Sequence, residues 1–168
     1  FLIIQTAFIG DVVLATALVE KLALFYPDAQ IDFLVRKGNE SLLQNNPHLH
    51  EVLIWNKKKK KTRNLLGMLK QIRRNRYDKV INVQRFFSTG LLTAFSGAGE
   101  TIGFNKNPLS FLFSRKITHA ITKTRQSKHE VERNNDLIAS FTDDSLIRPV
   151  LYPSEKDREF AKSFAGRP

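Results

Sequence analysis

The sequence contains no cysteine, which excludes disulfide bonds and thiolate-ligated metal sites. Its four histidines show no metal-ligand spacing such as His-Glu-x-x-His, so we expect neither a bound metal nor a cofactor. The longest apolar runs, such as residues 12–19, are far below the roughly 20 residues that span a bilayer, and no signal peptide is recognisable at the start. We therefore expect a soluble protein of the cytoplasm.

Acidic residues are missing from the most basic part of the chain. The formal net charge is +11, and much of the excess lies in residues 57–76, which hold ten Lys or Arg and no Asp or Glu. A concentrated positive field attracts polyanions such as nucleic acid, anionic lipid headgroups or a phosphorylated substrate. The five adjacent lysines at 57–61 also repel one another, and a solvated loop is the alternative interpretation of that run.

The apolar residues follow two periodicities along the chain. Short runs rich in branched residues predict strands at residues 1–5, 31–35, 51–55, 79–83 and 101–104. Apolar residues spaced by three and four predict helices at residues 12–26, 40–45, 87–95, 129–141 and 155–164. Residues 105–125 are predicted to be irregular apart from a candidate strand at 116–120, and residues 148–153 to be extended. The alternation predicts one α/β domain with a Rossmann-like, doubly wound parallel sheet.

A further helix follows the lysine run and is amphipathic. Its predicted apolar face carries Leu65, Leu66, Met68, Leu69 and Ile72. The basic residues at 70, 73, 74 and 76 lie largely off that face, so the outer side of this helix should be positively charged.

The turn after the first strand, residues 6–11, is the first place to search for a functional site, because doubly wound sheets bind ligands beyond the carboxyl ends of their strands. Gly10 permits a close backbone approach, and Asp11 could accept a proton from a bound hydroxyl group. The alternative is structural, because aspartate at a helix start satisfies free backbone N–H groups. From the residues alone, capping is the favoured reading of Asp11.

Other candidates are individually weaker. Arg85 follows the fourth strand, where it could bind an acidic group or simply be solvated. His129 and Arg133 lie at the start of a predicted helix, where either could face a cleft. Glu130 and Glu132 beside them have a structural explanation, since the helix dipole favours negative charge there.

Residues 1–22, FLIIQTAFIGDVVLATALVEKL, resemble the opening motif of the bacterial heptosyltransferases, glycosyltransferase family nine. Further resemblance follows in order with YPDAQIDFLV, RYDKVINVQ, GAGETIGF and HEVERNNDLI, which extends it over nearly the whole chain. The resemblance implies the N-terminal half of a GT-B glycosyltransferase. Residues 1–150 would form the Rossmann-like acceptor-side domain and residues 151–168 the start of an interdomain connection. The C-terminal nucleotide-sugar domain would be absent from this chain, whose ends we expect to be cuts.

The same resemblance implies transfer of heptose from ADP-heptose to the inner core of lipopolysaccharide, on an acceptor of the Kdo-lipid A type. It implies inversion at the sugar, independence of metal, and Asp11 as the base that deprotonates the acceptor hydroxyl. The anionic acceptor suits Lys60, Lys61 and Arg63 of the basic segment, with Gly10, Arg85, His129 and Arg133 as further contacts. Peripheral contact with the cytoplasmic face of the inner membrane would follow, and this part alone should be inactive. One departure is Ala15-Thr16-Ala17, where the family often has Thr-Thr-Pro.

Two rival interpretations stay open. A non-enzymatic domain could bind nucleic acid or another polyanion through residues 57–76, although no aromatic residues for base stacking are interleaved there. A Rossmann-type epimerase or dehydrogenase would need a glycine-rich loop after the first strand, whereas that turn has only Gly10.

Overall fold

The computed structural model describes residues 1–57, 61–119 and 128–165, so Lys60 and Ala120 lie outside the described residues. The strands are β1 (Leu2–Ile4), β2 (Asp32–Arg36), β3 (Glu51–Trp55), β4 (Lys79–Asn82), β5 (Glu100–Phe104) and β6 (Arg115–Ile117). The helices are α1 (Ile9–Phe25), α2 (Lys61–Asn75), α3 (Phe87–Ala94), α4 (Glu130–Asp136) and α5 (Glu155–Ala165). Single 3₁₀ turns lie at Glu40–Leu42, Ser110–Leu112 and Ala139–Phe141.

The described strands form one parallel sheet in the order β3-β2-β1-β4-β5-β6. The chain begins at the centre of the sheet, builds outward through β2 and β3, and returns to the other side of β1 with β4. This strand order confirms the predicted α/β class and the Rossmann-like, doubly wound sheet. All carboxyl ends of the strands therefore share one edge, which we call the carboxyl edge; the opposite one is the amino edge.

Both faces of the sheet are buried, which explains the continuous apolar run at the start of the chain. Ile3 packs on one face with core residues of α1 and with Leu137 and Ile138, just after α4. Leu2 and Ile4 point to the other face, where they meet α2 and α3. Because successive strand side chains alternate between faces, one short strand contributes to both halves of the core.

A buried lysine holds α4 beside α1. Lys21 is 1% exposed, and its Nζ donates hydrogen bonds to Asn135 Oδ1 at 2.8 Å and to the backbone carbonyls of Asp143 and Ser145 at 2.7 and 2.5 Å. The ammonium group also pairs with the Asp143 carboxylate at 2.8 Å, and this hydrogen bond lowers the pKa of Asp143. The charge is thus compensated on every side, as a buried ammonium group requires.

Three predicted helices differ from those observed. Helix α1 begins at Ile9 and not at residue 12, so Gly10 and Asp11 lie in its first turn. Residues 129–141 are not one helix, because i→i+3 bonds from Leu137 and Ile138 to the carbonyls of Asn134 and Asn135 tighten and end α4. Residues 40–45 form only a 3₁₀ turn.

The outer parts of the fold largely follow prediction. Leu66 is an exception, being 58% exposed, because α2 buries only the narrower stripe of Met68 and Ile72 with Leu65 and Leu69 partly covered. Residues 148–153 are extended as predicted, and the backbone N–H of Val150 donates to Thr16 Oγ1 at 3.0 Å. Helix α5 follows at the predicted position.

Candidate functional site at the carboxyl edge

Asp11 lies at the carboxyl edge, where the chain passes from β1 into α1. Its Oδ2 accepts the backbone N–H of Phe8 at 3.1 Å, so the carboxylate satisfies one free donor at the helix start. Among the described residues its second oxygen, Oδ1, has no hydrogen-bond partner, and the side chain is partly exposed. The carboxylate is therefore held in place by the cap and still has one oxygen open to a ligand.

A cavity of about 760 Å³ opens beside this turn. Its lining comes from the last residues of β2 and β3, the start of α1, and the turns that follow β1, β2, β3 and β4: Thr6, Ala7, Phe8, Ile9, Arg36, Lys37, Gly38, Asn39, Trp55, Asn56, Lys57 and Phe86. We call this cavity the cleft. Gly10 and Asp11 are not among its lining residues but directly follow Ile9, and a Cβ atom at Gly10 would have no described residue outside its own helical turn within 4 Å.

Two cations in the cleft are positioned by aromatic rings. Lys57 Nζ lies 4.6 Å from the centroid of the Trp55 ring and donates to Thr6 Oγ1 at 2.6 Å. The Arg36 guanidinium lies 4.9 Å from the centroid of the exposed Phe8 ring. Neither cation pairs with a carboxylate of the described residues. Burial, and then the nearby charge of Arg36, lower the pKa of Lys57 to about 8. Two ordered cations without a counterion make the cleft suited to an anionic ligand.

Amide side chains tie the turns of the carboxyl edge together. Gln5 Oε1 accepts the backbone N–H of Ala7 at 3.2 Å and also an N–H of the buried Gln84, which links the ends of β1 and β4. Asn39 Nδ2 donates to the Ala7 carbonyl at 3.0 Å and thereby adds the turn after β2. The loops around Asp11 are thus fixed to each other as well as to their strands.

The predicted acceptor residues fall into separate places. Lys61 and Arg63 are exposed on the first turn of α2, and Lys61 lines a smaller cavity of about 330 Å³ with Trp55 and Lys57. Arg85 is exposed at the end of β4, next to Phe86 of the cleft. Lys60 lies outside the described residues. These roles stay predictions, but the structure does place most of the residues along one edge of the sheet.

His129 and Arg133 have structural roles in the cap of α4. His129 is exposed, and its Nδ1 accepts the backbone N–H of Val131 at 3.4 Å, while Glu132 accepts the backbone N–H of His129. Arg133 donates to Glu130 and to the backbone carbonyl of Lys128. Glu130 and Glu132 thus lie in the first turn of α4, and both make hydrogen bonds there, whereas acceptor binding by His129 and Arg133 stays a prediction.

Sequence reasoning missed several residues of this edge. Arg36, Trp55 and Phe86 lie at strand ends that are far apart in sequence, and no motif marked them. A signal was available, because each follows or ends a predicted strand and is cationic or aromatic. No group of three or more His, Asp or Glu residues in the described part of the chain could hold a metal ion. Nor do those residues include a helix with the length and apolar character needed to cross a membrane.

Comparisons with known proteins agree with this architecture. The model of glycosyltransferase family 9 (heptosyltransferase) matches residues 65–168. Lipopolysaccharide heptosyltransferase 3 of Escherichia coli is 30% identical over 153 residues, which cover 87% of this chain and 44% of that protein. The lipopolysaccharide core heptosyltransferase OpsX of Haemophilus influenzae is 29% identical over 104 residues, which cover 62% of this chain and 29% of that protein. The chain thus spans less than half the length of these curated relatives.

Solved structures share the fold. A glycosyltransferase family 9 protein from Veillonella parvula superposes with a TM-score of 0.79 at 20% identity, over 99% of this chain and 50% of that one. The Escherichia coli ADP-heptose lipopolysaccharide heptosyltransferase II gives a TM-score of 0.73 at 21% identity, again over 99% of this chain and 50% of that one. With the family match over residues 65–168, these findings lead to one conclusion: the chain belongs to glycosyltransferase family 9, the heptosyltransferases.

Proposed function

We propose that this chain is the acceptor-side half of a heptosyltransferase that transfers heptose from ADP-heptose to the inner core of lipopolysaccharide. Residues 1–150 form the acceptor domain in this proposal, and residues 151–168 begin the connection to a nucleotide-sugar domain. The family membership and the names of the curated relatives support the reaction class. An acceptor of the Kdo-lipid A type supplies the anionic groups that the cleft is suited to bind.

The position of Asp11 carries the proposal. Its carboxylate lies at the carboxyl edge, is oriented by the hydrogen bond from Phe8, and has Oδ1 open. A carboxylate so placed takes the proton from the acceptor hydroxyl while that oxygen attacks the anomeric carbon of the donor sugar. ADP departs from the opposite face of the sugar, so the configuration at the anomeric carbon is inverted. The Asp11 carboxylate thus has two roles in this proposal: Oδ2 caps the helix and Oδ1 acts as the base.

The cleft supports an acceptor that is both anionic and partly apolar. Arg36 and Lys57 offer positive charge, and the rings of Phe8, Trp55 and Phe86 offer flat surfaces on which a sugar can lie. Gly10 leaves open space beside Asp11 for the reacting hydroxyl. Because the groups that bind the departing diphosphate would belong to the donor domain, we propose that residues 1–168 alone do not catalyse transfer.

We further propose that the outer face of α2 contacts the anionic surface of the inner membrane. Asn64 Nδ2 donates to the Asn56 carbonyl at the carboxyl edge, whereas Gln71 Nε2 donates to Glu51 at the amino edge, so the helix runs the full height of the sheet. Lys70, Arg73 and Arg74 are exposed near its far end, roughly 15 Å from Lys61 at 1.5 Å per residue. These three charges are too far from Asp11 to serve the reacting sugar, but they suit an extended anionic surface.

The transfer proposal is tested with the complete protein, ADP-heptose and a Kdo-lipid A acceptor. We expect release of ADP, a glycosylated acceptor with inverted anomeric configuration, and undiminished activity in excess chelator. Asp11→Ala should abolish release while the protein stays folded. Absence of release by the unaltered protein would contradict heptose as the donor sugar or this acceptor, and a fully active Asp11→Ala variant would make Asp11 a helix cap alone.

A further inference from the structure

A second polar group lies at the carboxyl edge, on the other side of Asp11 from the cleft cations. His119 lies two residues after the end of β6, is 6% exposed, and packs its ring edge-on against Phe104 with centroids 4.6 Å apart. Its Nδ1 is buried and has no hydrogen-bond partner among the residues that the structure describes. Since buried polar atoms in folded proteins are nearly always paired, an unpaired imidazole nitrogen at a ligand-binding edge requires an explanation.

The loops after β4, β5 and β6 are bonded to one another around this histidine. Asn105 Oδ1 accepts the backbone N–H of His119 at 3.1 Å, which joins the loops after β5 and β6. Asn107 Nδ2 donates to the carbonyls of Gln84 and Phe86 at 3.2 and 3.0 Å, on either side of Arg85. The approach is so close that a Cβ atom at Gly90 would lie 2.1 Å from Asn107 Oδ1. Arg85 and Lys106 are thereby fixed as neighbours, although 20 residues of sequence separate them.

Helix α4 adds further unpaired polar atoms. Arg133 uses its two terminal nitrogens on Glu130 and Lys128, but its Nε is buried and has no partner in the described part of the chain. The next residue, Asn134, is 1% exposed, and no described residue bonds to its Oδ1 or its Nδ2. The core residues of the same segment, Leu137 and Ile138, pack in one cluster with Phe104, against which the His119 ring lies.

The charges around His119 are unbalanced. Burial lowers the pKa of His119, and the charges of Arg85, Arg133 and Lys106 lower it further, with Glu130 as the opposing carboxylate. Arg85 and Lys106 are exposed, and neither bonds to a carboxylate of the described residues. Three nearby cations therefore outnumber one carboxylate, and their charge favours the neutral form of the imidazole.

We propose that Arg85, Lys106, His119, Arg133 and Asn134 form a subsite for one oxyanion group of the acceptor, a carboxylate or a phosphate. The unpaired Arg133 Nε–H and Asn134 Nδ2–H are donors, an imidazole N–H adds a third, and the excess positive charge favours an anion. We call these five residues the β4–β6 subsite. Its assignment to the acceptor rests on the proposed transfer function, whereas its affinity for an oxyanion does not.

The strand order places this subsite where it can determine which acceptors are selected. Because β1 lies between β2 and β4, Asp11 sits between the cleft cations of β2 and β3 and the β4–β6 subsite. An acceptor that occupies both the cleft and the β4–β6 subsite must carry two anionic groups, one on each side of the hydroxyl that Asp11 deprotonates. The enzyme would thereby select doubly charged acceptors and fix which hydroxyl reacts.

Oxyanion binding is measured on the complete protein by NMR of the histidine side chains, with inorganic phosphate and acetate as separate probes and His119 assigned by its loss in His119→Gln. We expect the His119 signals to shift saturably, because a bound anion offsets the three cations and raises the pKa of the imidazole. A stronger response to phosphate identifies a phosphate site, and a stronger response to acetate identifies a carboxylate site. Absence of saturable change with both probes at millimolar concentrations overturns the subsite.

Variants separate the subsite from a general effect of charge. Arg85→Gln, which removes an exposed side chain that bonds to no described residue, should weaken probe binding about tenfold, as expected for loss of a charge-assisted contact. Arg158→Gln removes the same charge from an exposed position on α5, outside the five residues of the subsite, and should leave binding unchanged. Equal affinity of Arg85→Gln and the unaltered protein would contradict the subsite.

The transfer assay then tests the assignment to the acceptor. Arg85→Gln should raise KM for the acceptor about tenfold with little change in kcat, since the contact is made equally in ground and transition states. Removing the acceptor phosphates, or esterifying its carboxylates, should abolish this difference for whichever group binds here. If the probes bind but the unaltered protein transfers no heptose, the subsite is supported and the transfer function is not. If transfer occurs with an unchanged KM in Arg85→Gln, the acceptor assignment is wrong.

Discussion

Charged side chains at the two edges of the sheet differ in how they are paired. At the amino edge, Asp32 accepts from Tyr77 and lies 2.9 Å from His50 Nδ1, and Glu100 is bonded to both Lys79 and Arg115. At the carboxyl edge, Arg36, Lys57, Arg85 and Lys106 have no carboxylate partner among the described residues. Paired charges stabilise the fold, whereas ordered cations without counterions are available to a ligand.

The pKa shifts follow the same division. Burial and the Asp32 carboxylate raise the pKa of the Tyr77 hydroxyl, so that it stays a hydrogen-bond donor. Burial alone would raise the pKa of Glu100, but Lys79 and Arg115 outweigh it and lower that pKa. At the other edge, burial lowers the pKa of Lys57 and of His119, and nearby cations lower both further. Hydrogen bonds and cations of the protein stabilise the carboxylates at the amino edge. The cations at the carboxyl edge can instead bind an anionic ligand.

The largest effect is expected for a substitution of Asp11, the proposed base at the carboxyl edge. Asp11→Asn keeps an oxygen that can accept the Phe8 N–H, so the cap persists, but the amide cannot take a proton. We expect kcat to fall roughly a thousandfold, within the range for loss of a general base, while thermal stability changes little. Steady-state kinetics and a melting curve of the same preparation measure the two effects. A stable Asp11→Asn protein with normal kcat would mean that Asp11 caps the helix and does not act as the base.

The reverse pattern is expected at the amino edge. Asp32→Ala removes the acceptor of the buried Tyr77 hydroxyl and the partner of the half-exposed His50 ring, and loss of the Tyr77 acceptor should cost about 2–3 kcal/mol of stability. Hydrogen exchange of the β1 and β2 backbone amides should accelerate by roughly a hundredfold, since about 1.4 kcal/mol is one decade. The kcat per folded molecule should stay normal. Loss of kcat in folded Asp32→Ala protein would contradict the division between the edges.

A smaller effect concerns pH and Lys57. With a pKa of about 8, Lys57 carries its charge below pH 8 and loses it as the pH rises through that value. The KM for an anionic acceptor should therefore rise, by roughly tenfold, as the charged contact is lost. Lys57→Arg keeps the charge at every accessible pH and should remove this part of the profile. The same rise in both proteins would exclude Lys57 as its cause.

The smallest effects are expected on α2. Each basic side chain near an anionic surface contributes about 1 kcal/mol, so Arg73→Gln or Arg74→Gln should weaken binding to phosphatidylglycerol vesicles about fivefold. Binding to phosphatidylcholine vesicles should be negligible, and Arg158→Gln should match the unaltered protein. Cosedimentation measures all three. Vesicle binding that is unchanged in Arg73→Gln and Arg74→Gln would contradict the membrane proposal. So would a preference of α2 for nucleic acid over the vesicles.

Sequence periodicity predicted the sheet well because its strands are buried on both faces. Residues 31–35 and 51–55 coincide with β2 and β3 to within one residue, and branched apolar runs of this length leave little choice of structure. The break after α4 was not predictable in the same way. Leu137 and Ile138 continue the apolar spacing of a helix, but the core that buries both of them is formed by distant strands.

The site was only partly predictable for the same reason. Asp11 and Arg85 were found because each lies in the short segment between a predicted strand and the helix that follows it, which is a local feature of sequence. His119 was not found, because a lone histidine in a segment predicted to be irregular becomes significant only when the sheet brings Arg85, Lys106 and Arg133 around it. The sequence pointed instead to His129, whose ring is used in the cap of α4.

The central proposal is that the acceptor hydroxyl binds next to the Asp11 carboxylate, with a group of cations on either side. A crystal structure of the complete protein with a deacylated acceptor and an unreactive ADP-heptose analogue tests this most directly. We predict an acceptor hydroxyl oxygen about 3 Å from Asp11 Oδ1, the distance of a base from the proton it takes. Acceptor anions should lie against Arg36 and Lys57 on one side and against Arg85 and Arg133 on the other. An acceptor bound elsewhere, with Asp11 contacting only the Phe8 N–H, would contradict the account.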